Sequence, residues 1–272
     1  HPVDRRQRQM CIRDRSDTTP TISGTAEAGS TINLISNGSS IGTATTDGSG
    51  DFSVTPSSAL AQGSYSLTVT ATDAANNVSI ASGAVSITVD TTNPGQPTIT
   101  TTDTSTNDTT PTISGTAEAG STINLMSNGS SIGTATTDGS GDFSVTPSSE
   151  LAQGSYSLTV TATDAANNVS IASGAVSITV DTTNPGQPTI TTTDTSTNDT
   201  TPTISGTAEA GSTINLMSNG SSIGTATTDG SGDFSVTPSS ELAQGSYSLT
   251  VTATDAANNV SIASGAVSIT VD

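Results

Sequence analysis

The segment DTTPTISGTAEAGSTINL begins at Asp17, again at Asp108 and again at Asp199, which sets a period of 91 residues. Residues 108–181 and 199–272 are identical. Residues 17–90 depart from them at two positions: Ile35 replaces Met126 and Met217, and Ala59 replaces Glu150 and Glu241. The connecting segment TTNPGQPTITTTDTSTN occurs whole at 91–107 and at 182–198. Self-similarity at a fixed period constrains a fold more than any local signal. A period of 91 residues is too long for one turn of a solenoid and suits a small domain with its own core. The chain therefore reads as beads on a string: a leader at 1–16, then repeats at 17–90, 91–181 and 182–272.

Within one repeat the apolar residues alternate with period two, the mark of a half-buried strand. In YSLTVTAT, Tyr156, Leu158, Val160 and Ala162 share one face, and Ser and Thr share the other. AVSITV does the same with Val176, Ile178 and Val180, TINL with Ile123 and Leu125, and DFSV with Phe143 and Val145. Alternation of this kind belongs to antiparallel sheets with one face in the core and one in water. Turn-forming clusters separate the runs: SNGSS at 127–131, DGSGD at 138–142, LAQGS at 151–155 and DAANN at 164–168. In repeat two the pattern predicts seven strands, near 98–102, 110–117, 121–127, 131–137, 142–147, 154–163 and 174–181. Seven short strands in about 90 residues predict an all-β, Ig-like Greek-key β-sandwich. The repeat holding the first strand's place in 17–90 lacks the PTITTT run, so repeat one is expected to lack that strand and to expose an edge. Such a register gives no reason to read the chain as a disordered Ser/Thr stalk, although only 30% of its residues are hydrophobic and 2% aromatic.

Charge is distributed as unevenly as sequence. The chain has 24 Asp and Glu against 5 Lys and Arg, a formal charge of −19. All five bases, Arg5, Arg6, Arg8, Arg13 and Arg15, lie in the stretch RRQRQMCIRDR, and no Lys, Arg, His, Cys or Trp follows it. An acidic body without a base repels phosphates and anionic headgroups, which excludes nucleic acid as a partner. No apolar run approaches the roughly 20 residues of a membrane span, so direct insertion is not expected. The leader has no apolar segment of a secretory signal, and the lone Cys11 excludes an internal disulfide framework. A basic arm could serve an acidic partner, the chain's own stalk included. Back-translated, however, the stretch fits CGT CGG CAG CGT CAG ATG TGT ATA AGA GAC AGR, which resembles the adapter and mosaic end of transposon-based sequencing libraries. Residues 1–16 are thus expected to be a non-native, disordered leader.

The segments GTAEAGSTINL, IGTATTDGSGDFSVTPSSELAQGSYSLTVTATDAANNVS and AVSITVDTTNPGQPTI resemble the bacterial Ig-like repeats of very large surface adhesins, the biofilm-associated and RTX-type proteins. The resemblance covers residues 17–272. It implies a calcium-stiffened stalk exported by type I secretion to the cell surface, of which this chain would be an interior piece. One departure is AANN, where such repeats often carry a Gly before the Asn.

Strand order places the acids. If the first strand runs away from the upstream end of a repeat, the loops after strands two, four and six return to that end. These loops carry Glu118, then Asp138 and Asp142, then Asp164, and the preceding repeat delivers Asp90 to the same place. Asp90, Glu118 and Asp164 are therefore expected to converge at one junction, and Asp181, Glu209 and Asp255 at the next. Two carboxylates about 5 Å apart repel by roughly 3 kcal/mol at an effective dielectric near 20. With no base in the body, either the acids stay apart or a cation binds. Carboxylates, loop carbonyls and the side chains of Asn167 and Asn168 are hard oxygen donors, a set suited to Ca2+ rather than zinc or copper. DTSTND at 103–108, at the other end of the sandwich, is a weaker second candidate, and DGSGD lacks the length and final Glu of an EF-hand loop. The alternative is that these acids are solvated loop residues.

No enzyme is expected, because the body offers no His or Lys to activate a nucleophile and no aromatic platform for a glycosidase cleft. The function expected is a structural spacer in an extracellular adhesin, holding a distal ligand-binding region away from the cell, with neighbouring repeats as the immediate partners. The competing reading is a glycan- or ice-binding module. It would call for exposed aromatics, a divergent loop in one repeat or a flat Thr array, and the repeats match one another.

Overall fold

The computed structural model describes residues 14–272. Residues 1–13, which hold Arg5, Arg6, Arg8, Arg13 and most of the adapter-like stretch, lie outside the described residues. Among the described residues there is no helix. Repeat one contains β1 (Asp14–Arg15), β2 (Ile22–Thr25), β3 (Thr31–Ser36), β4 (Ser39–Thr45), β5 (Asp51–Val54), β6 (Gly63–Thr72) and β7 (Val85–Val89). Repeat two contains β8 (Thr98–Ile99), β9 (Thr104–Thr106), β10 (Ile113–Thr116), β11 (Thr122–Ser127), β12 (Ser130–Thr136), β13 (Asp142–Val145), β14 (Gly154–Thr163) and β15 (Val176–Val180). Repeat three follows the same plan with β16 (Thr189–Ile190), β17 (Thr195–Thr197), β18 (Ile204–Thr207), β19 (Thr213–Ser218), β20 (Ser221–Thr227), β21 (Asp233–Val236), β22 (Gly245–Thr254) and β23 (Val267–Val271).

Each complete repeat is a sandwich of a three-stranded and a five-stranded sheet, ordered β13-β10-β8 and β12-β11-β14-β15-β9 in repeat two. The faces that alternate apolar in sequence meet between them: Ile113, Ile123, Leu125, Leu158, Val160 and Ile178 are fully buried. The outward face carries hydroxyl pairs such as Ser155 and Thr179, 3.1 Å apart. The hairpin joining β11 to β12 turns at Asn128 and Gly129 with φ of 48° and 77°. Both values lie in the left-handed region, the type I′ geometry that Asn-Gly adopts most readily.

The expected single first strand is two strands. β8 pairs antiparallel with β10, whereas β9 pairs parallel with β15 in the opposite sheet. The crossing lies between them, where the N–H groups of Thr100 and Thr101 both donate to Ser114 O at 2.9 and 3.3 Å. Asp103 Oδ1 then accepts the N–H of Ser177 on the other sheet, 2.8 Å away. β8 also runs so close to β10 that a Cβ at Gly115 would stand 2.1 Å from Thr98 O.

In repeat one the place of β9 is taken by β1, which pairs parallel with β7 through Asp14↔Thr88 and Arg15↔Val89. The end of the leader, expected to be disordered through residue 16, is thus ordered at 14–15. Parallel pairing uses backbone groups alone, so Asp-Arg substitutes for the Ser-Thr of β9. Among the described residues β2 pairs with β5; the positions equivalent to β8, on which the expected loss of a strand turns, lie outside them.

Candidate functional site

The site with the most specific geometry is the junction between successive repeats. It begins with the loop 164–168. Asp164 N–H donates to Asn168 O and Asn167 N–H donates to Asp164 O, at 3.1 and 3.2 Å. Asn167 takes φ of 70°, a left-handed conformation that Asn tolerates better than other residues with side chains. Asp164 Oδ1 accepts the backbone N–H of Asn168 at 2.9 Å, and its Oδ2 accepts the side-chain Nδ2–H at 2.8 Å. The loop is therefore wound around one carboxylate, and the wound loop aims the second amide hydrogen of Asn168 outward.

That hydrogen meets the preceding repeat. Asn168 Nδ2 donates to Asp90 O at 2.9 Å, and Asn259 Nδ2 repeats the contact with Asp181 O at 2.8 Å. The linker adds a second tie, since Gln96 Nε2 donates to Ala172 O and Gln187 Nε2 to Ala263 O, both at 2.7 Å. A third comes from the end of the parallel strand. Asn107 N–H donates to Ala257 O at 2.9 Å and Asn107 Nδ2 to Asn258 O at 3.2 Å. Because Asp181 N–H donates to Thr106 O at 2.9 Å, β9 and β15 end side by side, and both ends grip the 255–259 loop downstream. On the other side, Thr183 Oγ1 donates to Gln153 Oε1 at 2.9 Å, holding the start of the linker to the repeat it leaves.

Repeat one shows the same loop with no preceding repeat against it among the described residues. Asn77 Nδ2 still donates to Asp73 Oδ2 at 2.8 Å, but Asn77 is exposed, while Asn168 and Asn259 are buried. The side-chain and backbone hydrogen bonds from Asn77 hold the Asp73 carboxyl below the usual carboxylate range.

The structure brings together two members of each expected acidic trio. Asp90 and Asp164 meet through Asn168, and Asp181 and Asp255 through Asn259. Glu118 and Glu209 lie on neighbouring loops of the same end, but those loops close elsewhere: Thr137 Oγ1 donates to Glu118 O, and Thr228 Oγ1 to Glu209 O, both at 2.7 Å. Among the described residues no three His, Cys, Asp or Glu side chains are grouped to hold a metal ion. The donor chemistry nonetheless suits a hard cation, since the set is all oxygen. Among the described residues only one carboxylate oxygen of Asp90 is engaged, by Thr92 N–H at 3.0 Å. Asn168 enters differently from the sequence reading: its amide nitrogen is the working group and not its oxygen. DTSTND does not form a separate loop site; its centre is β9, and Asn107 belongs to the downstream junction.

Sequence reasoning missed Ser170 and Ser173. Their hydroxyls accept the N–H groups of Ala162 and Val160, at 2.9 and 3.0 Å, while their own N–H groups donate to the carbonyls of the same two residues. The segment 169–175 is thereby laced to β14 without being a strand, and it presents Ala172 O to the linker. The only sequence signal was a pair of serines three apart after a turn.

Two-layer sheets, a first strand divided between them and repeated end-to-end contacts define a tandem array of immunoglobulin-like sandwich modules. The chain belongs to the family of bacterial Ig-like domains, whose model matches residues 15–91, 95–182 and 186–272. Among solved structures, it is similar to the fibronectin(III)-like modules of Clostridium thermocellum CbhA, at 17% identity and a TM-score of 0.47, over 65% of this chain and 94% of that one. It is also similar to a tetra-tandem repeat from the extending region of a large adhesion protein, at 22% identity and a TM-score of 0.29, over 94% of this chain and 72% of that one. A third likeness is to the BSP domain of a biofilm-associated protein, at 16% identity and a TM-score of 0.26, over 96% of this chain and 61% of that one. These likenesses are of fold. No curated protein matches the chain.

Proposed function

We propose that this chain is a spacer segment of a large bacterial cell-surface adhesin, a row of modules that carries a distal adhesive region away from the cell. The observation that supports this reading most is the recurrence of the junction. The bonds from Asn168 to Asp90 and from Gln96 to Ala172 return, 91 residues on, as those from Asn259 to Asp181 and from Gln187 to Ala263. A junction built the same way each time adds the same step in length and direction for every module. No reaction is assigned to the chain.

Calcium belongs to this proposal as a stiffener of the junctions. Asp90, Glu118 and Asp164 would hold it at the first, and Asp181, Glu209 and Asp255 at the second. Bound there, it would supply the positive charge that the body of the chain lacks and relieve repulsion between acids that the hydrogen bonds leave in place. Thermal unfolding of the full chain with millimolar calcium, against a magnesium control, tests this part. An ion that binds only the folded state adds about 2.7 kcal/mol at 100 times its dissociation constant. The expected result is a calcium-specific rise in melting temperature that Asp181→Asn reduces; an equal response to both ions would remove calcium from the account. The spacer itself is tested by surface display. A reporter fused beyond the repeats should stand farther from the cell by one constant increment for each 91-residue unit inserted. Failure to advance would overturn it.

A further inference from the structure

We propose that the parallel pair of β9 and β15 is a shear clamp against axial tension, completed by the loop 255–259 of the next repeat. Repeat two then resists unfolding under load most strongly while repeat three is folded. Tension on the two ends of the chain enters repeat two through the linker and leaves it at Asp181. Detaching β8 leaves the core closed, because β9 still passes the load straight to β15. These two strands are parallel neighbours in the register Ile178↔Thr104, Thr179↔Ser105 and Val180↔Thr106. β9 is therefore drawn by its first residue and β15 by its last, in opposite directions along one seam. The evenly spaced bonds of a parallel pair are then loaded together and must fail together, whereas a hairpin pulled at its open end loses them one at a time. Bonds beyond the strand limits lengthen the seam at both ends. Ser177 N–H donates to Asp103 Oδ1 at 2.8 Å, and Asp181 N–H to Thr106 O at 2.9 Å. Repeat three has the same seam, β17 against β23, with Ser268 N–H on Asp194 Oδ1 at 2.7 Å.

The downstream loop straddles the two strand ends. Asn259 Nδ2 donates to Asp181 O at 2.8 Å, which fixes the loop to the end of β15. Asn107 N–H donates to Ala257 O at 2.9 Å and Asn107 Nδ2 to Asn258 O at 3.2 Å, which fixes the end of β9 to the same loop. Ala257 and Asn259 are buried, so water does not compete freely for these bonds. Sliding β9 past β15 by one residue, about 3.3 Å, stretches both bonds of Asn107 beyond hydrogen-bonding distance. The loop thus adds rungs to the clamp that belong to another repeat. The backbone rung recurs one module upstream, where Ser16 N–H donates to Ala166 O at 3.0 Å beside the parallel pair of β1 and β7. Loss of one repeat therefore weakens the seam of the repeat before it and leaves the seam of the repeat after it intact. A chain pulled at both ends carries load through these strands whatever it tethers, so the clamp stands apart from the spacer reading.

The test holds the full chain by its two ends at constant force and times the unfolding of repeat two, since forced unfolding is governed by the unfolding rate. Gly/Ser insertions at the exposed turns Asn128–Gly129 and Asn219–Gly220 mark repeats two and three. Insertions of about 20 and about 40 residues lengthen the two extension steps by roughly 70 and 140 Å. The expected result is a repeat-two lifetime at least about fivefold shorter after repeat three has unfolded than after repeat one has, the equivalent of one net hydrogen bond. Asn107→Ala should shorten the lifetime only while repeat three is folded. Asp103→Ala should shorten it in either state, and Ser170→Ala, which deletes a 2.9 Å bond away from the seam, should leave it unchanged. Equal lifetimes after loss of either neighbour, an equal effect of Asn107→Ala in both states, or equal effects of Asp103→Ala and Ser170→Ala would each overturn the proposal.

Discussion

Asn168→Ala, set beside Asn77→Ala, isolates the free energy of the junction. Both substitutions delete the amide that closes the loop on its own Asp, at 2.8 Å in each repeat. Only Asn168→Ala also deletes a bond to the preceding repeat, the 2.9 Å contact with Asp90 O. The shared loss cancels in the difference. A net intramolecular hydrogen bond contributes about 0.5–1.5 kcal/mol, and leaving a partly buried carbonyl unpaired pushes toward the upper end. Asn168→Ala should therefore destabilise repeat two by about 1–2 kcal/mol more than Asn77→Ala destabilises repeat one. Each repeat holds one tyrosine, Tyr65, Tyr156 or Tyr247, so chains in which two of the three are changed to Phe report unfolding of a single repeat. Denaturant midpoints followed by the remaining tyrosine give the two values. In a domain of this size 1 kcal/mol corresponds to roughly 4–8 °C in melting temperature, well within resolution. Equal losses in repeats one and two would refute the reasoning and reduce Asn168 to a loop-closing residue. Asn259→Ala, read through Tyr247, should match Asn168→Ala.

Two further outcomes follow from local chemistry. Ser121 and Ser212 bury hydroxyls that have no hydrogen-bond partner among the described residues, so Ser121→Ala should leave stability unchanged or raise it, as urea midpoints would show. Asp73 has its carboxyl held below the usual range by Asn77, so its loop gains stability above the unfolded-state pKa and loses it as pH falls through the lower folded value. Carbon-detected NMR titration of Asp73 should give a low midpoint that Asn77→Ala raises; an unmoved midpoint would contradict the assigned cause.

What could be read from the sequence follows from which interactions leave a period behind. Burial of one sheet face imposes alternation, and Leu158, Val160 and Ala162 or Ile123 and Leu125 show it without ambiguity. Asn128-Gly129 announces its hairpin because few other pairs accept two left-handed residues in succession. The division between β8 and β9 left no such mark. The run TITTTDTST is β-branched and polar on both sides of the crossing, so nothing in its pattern says where the strand changes sheet. At the junction, topology placed Asp90 beside Asp164, but the contact depends on the direction of an amide group. Whether Asn168 presents oxygen or nitrogen is decided by Asp164, whose carboxylate can only accept. Glu118 lies at the expected end, and the bond that its carbonyl accepts from Thr137 left no local mark, because the donor is 19 positions distant.

Small-angle X-ray scattering of the full chain, alone and with Asn168→Ala and Asn259→Ala combined, tests the central claim that hydrogen-bonded junctions turn the repeats into a rod. A ten-residue strand spans about 33 Å, so three modules and their linkers should give a maximum dimension of roughly 110–130 Å. The account predicts a narrow, rod-like distance distribution for the unaltered chain and a broader, shorter one for the double variant. Identical profiles for the two proteins, or a profile of freely jointed beads for the unaltered chain, would contradict it.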